Sequence, residues 1–164
     1  MTQSPSATPR TRTLDAAQAA LAAEHAAVYG YGVVGAHIDA SRAGLAREAY
    51  DAHRARRDAM SRAVRDLGGT PEAAAAAYAL PFPVGDAASA ARLGAELESR
   101  VAAVHADLVG ASSGTLRRDA ADALRDAAVR AVRWRGGSVA FPGLAERAAP
   151  SGPAASPSGP ADRH

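Results

Sequence analysis

Apolar side chains recur in steps of three and four along four separate stretches of this chain, and that spacing leaves few folds open. Steps of that size stack residues on one face of an α-helix. The clearest case spans residues 21–67, where LAAEHAAVYGYGVVGAHI is followed by a few turn residues and REAYDAHRARRDAM. Runs of Val, Ile and aromatic residues of strand type are missing, and aromatics make up only 4% of the chain. Much of the 48% hydrophobic content is alanine, the strongest helix former. The fold class is therefore all-α. Alanine buries little area, so the helices must lie close together to make a core. A length of 164 residues suits one domain.

Taken in order, residues 1–12 are Ser, Thr, Pro and Arg and read as a disordered tail. Thr13 can N-cap a first helix that carries Leu14, Leu21 and Val28 on one row and Ala17, Glu24, Tyr31 and Ile38 on the next. That helix should end near Asp39, and Asp39 or Ser41 can cap a second one running to Leu67, stopped by Gly68-Gly69. The inward stripe of the second helix is Ala46, Tyr50, His53, Arg57, Met60, Val64 and Leu67. Thr70-Pro71-Glu72 predicts a short helix to Tyr78, and Pro81 and Pro83 then force extended backbone. Asp86 caps a third helix with Leu93, Leu97, Val101, Val104 and Leu108 inward. After a turn at 110–114, Thr115 caps a fourth helix ending at Trp134, before Gly136-Gly137. VAFPGL (139–144) is expected to fold back over one end, and residues 146–164 read as a second disordered tail.

Composition removes several classes of function. With no cysteine there is no disulfide, thiolate metal site or thiol nucleophile. All 19 basic residues are arginine, which fits a GC-rich genome better than a recognition role. Net charge is +2 with acids and bases interleaved, so the basic balance argues little for nucleic acid. The arginines of the second helix fall on several faces among Asp51, Asp58 and Asp66, and Arg10 and Arg12 sit in the leading tail. The N-terminus lacks the apolar core of a secretory signal, and the most apolar run, 26–38, is too short to span a bilayer. A cytoplasmic protein is the expectation.

The connections between helices run short, long, short. Two helical hairpins joined by a long connection place the second helix parallel to the third, the topology of ferritin-like bundles. At EHAAVYGYGVVGAH, YDAHRARRD, YALPFPV and AAVRAVRWRG followed by FPGL, the chain resembles an actinobacterial ferritin-like family of uncharacterised function, domain of unknown function 4439. The likeness covers roughly residues 14–145 and implies a ferritin-like four-helix bundle, here over residues 13–145, with no assigned reaction.

Di-iron members of the wider ferritin-like group use one Glu on each of two helices and Glu-x-x-His on the other two. Glu24 fits the first helix, and Glu96 and Glu98 are the third-helix candidates. The second helix has His53, with Tyr50 where Glu should be, and the fourth has Arg130 and Arg133 but no Glu-x-x-His. A metal reading would rest on Glu24, His53 and Glu98 with iron or manganese. Geometry offers another filling. With the first turn centred near residues 40–41, Glu24 faces Arg57, and Tyr31, Tyr50 and His53 complete the hydrogen bonds. This buried polar cluster is either a structural network or a small-ligand or proton site.

Other signals are local. His37 and His105 read as surface or edge residues, and Trp134 as an aromatic sealing the bundle end. Gly30-Tyr-Gly-Val-Val-Gly35 matches a dinucleotide-binding string but sits inside a helical repeat, without the strand that fingerprint needs. Its glycines predict close approach of another helix, within the chain or in a homodimer. The expectation is a non-catalytic or small-ligand-binding interaction module without a complete di-iron site. The competing class is a metal protein or di-iron-type oxidoreductase.

Overall fold

The computed structural model describes residues 8–136. Within them lie four α-helices and no strand: α1 Pro9–His37, α2 Ala43–Asp66, α3 Ala87–Ala111 and α4 Gly114–Arg135. The expected fold-back at 139–144 and the tail at 146–164 lie outside the described residues.

Helix α1 starts at Pro9, not after Thr13. Thr8 is the N-cap, its hydroxyl accepting from the Thr11 amide, and Pro9 sits where a missing N–H costs nothing. Tertiary bonds hold this extra turn. Arg10 donates to the Leu67 carbonyl at 3.0 Å, and the Thr13 hydroxyl reaches the Ala111 carbonyl at 2.5 Å. Helix α2 ends where Gly68 adopts φ 83°, a left-handed conformation, and the Gly69 amide returns to the Val64 carbonyl. Asp86 caps α3 as expected, in a capping box with Ser89. Helix α4 begins at Gly114, so only residues 112–113 separate it from α3. Gly136 closes it at φ 74°.

The short helix expected at 71–78 does not form. Its alanines have no apolar face to bury, and one or two turns cannot offset the cost of nucleation. Residues 67–86 instead run without regular structure against α1. Gln18 donates to the Thr70 carbonyl and accepts from the Glu72 amide, and His25 meets the Glu72 carbonyl at 3.2 Å.

Residues late in α1 meet residues early in α2 and α3, so α1 is antiparallel to both; α3 and α4 are likewise antiparallel. Helix α1 packs on α2 and α3, and α3 on α4. Helices α2 and α4 scarcely touch; ion pairs Arg56–Asp126 (2.5 Å) and Arg133–Glu48 (3.2 Å) link them.

The apolar core falls into two larger groups. Leu21, Met60, Val64 and Leu108 fill one end, while Tyr31, Val34, Leu93, Leu97 and Trp134 fill the other. Between them lie small residues, Ala27, Ala102 and Ala127, with Val101. At that middle level the four helices also bring together the buried polar side chains.

Candidate functional site

Glu24, His53, Glu98 and His105 are wholly buried, at 0% exposure, and Arg130 is nearly so. Each lies on the inward stripe of its helix. On α3 the buried positions include Gly94, Glu98, Val101, His105 and Leu108, a strict alternation of four and three. On α4 they include Ala120, Ala123, Ala127, Arg130 and Trp134.

One continuous hydrogen-bond network joins them. His53 Nδ1 donates to Glu24 Oε2 at 2.7 Å, and His53 Nε2 donates to Glu98 Oε1 at 3.1 Å. His105 Nε2 donates to Glu24 Oε1 at 2.8 Å. Glu98 Oε1 also accepts from the Tyr31 hydroxyl at 2.6 Å and from Arg130 Nε at 2.7 Å. Trp134 Nε1 donates to the Tyr31 oxygen at 2.8 Å, and the Tyr31 ring stacks on His53 with centroids 5.3 Å apart.

The protonation pattern follows from this geometry. His53 spans two carboxylates, so both its nitrogens face acceptors, an arrangement that favours the protonated ring. Burial pushes His53 down, but the bonds to Glu24 and Glu98 and their charges outweigh it and raise its pKa above 6.5. Burial likewise pushes Glu24 up, yet the bonds from His105 and His53 bring it down to about 2. Glu98 is held below the usual carboxylate range against its burial by His53, Arg130 and Tyr31. Desolvation and the Glu98 charge keep Tyr31 a neutral hydroxyl. Glu24 and Glu98 are thus bridged by His53, and Glu98 is also held by Arg130. Glu98 Oε2, His105 Nδ1 and Arg130 Nη2 have no partner among the described residues.

The sequence-derived cluster is only partly assembled. Glu24, Tyr31 and His53 come together. Arg57 does not face Glu24; it bonds its neighbour Asp58 at 2.8 Å and stays part-exposed. Ile38 is extended at the end of α1, and the α1–α2 pairing is shifted by one helical turn, so His53 takes the place expected for Arg57. Tyr50 is half-buried, packs on the apolar cluster around Tyr31, and lies under the Arg54 guanidinium at 5.7 Å. His105, expected at the surface, is a full member. The guanidinium of the cluster is that of Arg130. Trp134 does not merely seal the end but bonds into the network. His37 is exposed, as expected, and bonds the Val33 carbonyl in its own helix. Of the glycines, Gly30 alone matches the close-approach expectation. A Cβ there would meet Leu97 at 2.6 Å, while Gly32 and Gly35 face open space.

Both ring nitrogens of His53 are occupied by carboxylates, and Arg130 holds Glu98 Oε1 while Glu98 Oε2 is left without a partner among the described residues. Tyr50 does not bond into the cluster, and Ala127 lies three residues before Arg130 on the buried stripe, so neither α2 nor α4 supplies Glu-x-x-His. Among the described residues no group of three or more His, Asp or Glu side chains is arranged to hold an ion. No described helix is long and apolar enough to cross a membrane.

No curated protein matches the chain. Among solved structures it is similar to a conserved hypothetical protein, rv2844, from Mycobacterium tuberculosis. The two share 38% identity at a TM-score of 0.74, over 76% of this chain and 96% of that one. The model of a domain of unknown function, DUF4439, matches residues 16–146. The match takes in all but the first turns of α1 and every member of the network, and the chain belongs to the DUF4439 family.

Proposed function

We propose that this chain is a ferritin-like four-helix bundle acting as a non-catalytic, small-ligand-binding module. In this reading its interior charges are matched by its own side chains instead of a metal. The observation that carries the proposal is His53, held through both ring nitrogens between Glu24 and Glu98. A metal ligand or general base needs a free lone pair there. Arg130 on Glu98 supplies the second cation, where a di-iron bundle would bring a Glu-x-x-His from the fourth helix. The ferritin-like assignment draws support from α1 being antiparallel to both α2 and α3, which makes residues 67–86 the crossover between two hairpins. The ligand-binding half draws support from an apolar cleft between α1 and α3.

The test is metal analysis and melting of protein purified without chelators. The expected result is substoichiometric iron and manganese, with a melting temperature unmoved by chelator. Stoichiometric metal, or a melt that falls on chelation, would overturn the metal-free reading.

A further inference from the structure

Residues 67–86 form a long connection without secondary structure, yet they are fixed in place. Ordered irregular segments of that length usually serve binding. Gln18 and His25 pin one end, as described. At the other end the Arg92 guanidinium sits 3.8 Å from the centre of the Phe82 ring, and the Gly85 and Asp86 amides donate to the Ser89 hydroxyl. Between these anchors, Tyr78–Pro81 stands as a wall opposite α1 and α3. It leaves a cleft of about 450 Å³, within the size range of small-molecule sites.

Small residues make the space: Ala23 and Ala26 on α1 and Ala103 on α3. Leu97, Val101 and Leu80 make it apolar. Tyr29, the most exposed aromatic ring among the described residues, meets Tyr78 at 5.6 Å and 51°, so the two rings line the same mouth. Arg100 is the one charged residue of the lining. Its Nε donates to Glu96 at 2.8 Å in an exposed pair of little strength. Its two terminal nitrogens have no hydrogen-bond acceptor among the described residues.

From this arrangement we propose that the cleft binds a flat apolar monoanion, a small aromatic carboxylate or sulfonate. Its rings lie among Tyr29, Tyr78 and Leu97, and its anionic group rests on Arg100. The proposal rests on the ligand-binding half of the reading above and does not depend on the metal-free half. Aromatic walls supply dispersion and area burial, and the single guanidinium supplies orientation. The pinned wall means little ordering cost on binding.

The probes are the fluorescent anion 8-anilinonaphthalene-1-sulfonate and the neutral N-phenyl-1-naphthylamine, titrated into the full chain. Saturable binding of both at one site is expected. Ala26→Phe, which fills the cleft, should weaken both by more than about tenfold, since the added ring takes the ligand's volume. Tyr78→Ala, in the connection and outside the buried core, should weaken both while the chain keeps its cooperative helical melt. Arg100→Gln should weaken the anion by about tenfold and leave the neutral probe within about twofold. Absence of saturable binding by either probe would overturn the ligand-binding reading itself. Saturable binding indifferent to both Ala26→Phe and Tyr78→Ala would overturn this location and leave that reading standing. Equal losses for the two probes in Arg100→Gln would overturn the anionic assignment.

Discussion

Replacing Arg130 by Met tests whether the buried charges are matched within the chain. Met keeps much of the length and removes the guanidinium. Arg130 Nε lies 2.7 Å from Glu98 Oε1, and the Glu98 side chain is at 0% exposure. The substitution leaves two buried carboxylates facing one cation, His53. Breaking a buried pair in this way costs about 3–5 kcal/mol. For a domain of this size each kcal/mol moves the melting temperature by about 3–5 °C, so Arg130→Met should melt about 9–25 °C lower. Adding Glu98→Gln removes the stranded charge. The Tyr31 hydroxyl and His53 Nε2 still have an amide oxygen to donate to. The double variant should therefore be more stable than Arg130→Met alone, with a coupling of about 2 kcal/mol or more. Urea titrations of the four proteins, followed by helical circular dichroism, measure this directly. Acidification should narrow the deficit of Arg130→Met, because the stranded carboxylate takes up a proton. A loss below about 1 kcal/mol in Arg130→Met, or further damage on adding Glu98→Gln, would refute the charge balance.

Stability should peak between pH 4.5 and 6.5, the ordinary values of Glu24 and His53. Glu24 is depressed, so its contribution is present above 4.5 and lost as pH falls toward about 2; His53 is raised, so its contribution is present below 6.5 and lost as pH rises through its folded value. Melting temperatures that climb steadily from acid to mildly alkaline pH would contradict this. Glu24→Gln removes a carboxylate that raises His53, so the imidazole midpoint read by nitrogen chemical shifts should move down; an unmoved midpoint would sink the assignment. Gly94→Ala drives a Cβ to 2.8 Å from the Trp134 ring and should cost about 1–3 kcal/mol. Gly35→Ala, with nothing within 4 Å, should stabilise α1 by about 0.5–1 kcal/mol. Chemical denaturation of the two glycine variants separates them.

Periodicity made most of the helical architecture legible. Leu21, and Glu24 with Tyr31, fall on the two adjacent rows that the seven-residue repeat puts inside, and the Gly68 stop and Asp86 cap are local signals that survive in the folded chain. Where tertiary contacts decide, local signals misled. The first turn of α1 is held by Leu67 and Ala111, both distant in sequence. Thr70-Pro71-Glu72 is a sound helix start with nothing behind it to pack. The site was half legible. Glu24 and His53 were placed inward correctly, but their pairing depends on how far the chain travels between helices. The turn between Ile38 and Ala43 leaves His53, not Arg57, bonded to Glu24. His105 and Arg130 carried a signal that stripe counting could have used. His105 is seven residues from Glu98, and Arg130 lies midway between Ala127 and Trp134 on a row of small residues. Assigning His105 to the surface followed its residue type instead of its position.

The contact between α2 and α4 sets where this molecule breathes. Arg56–Asp126 and Arg133–Glu48 hold that face, and all four side chains are at least one-fifth exposed. Parting these two helices exposes little hydrocarbon, and dissolved salt lowers the barrier further. The other packed faces can separate only by uncovering core. Amide exchange should thus be fastest along the facing sides of α2 and α4, and accelerate there with ionic strength, while the α1–α3 seam stays closed.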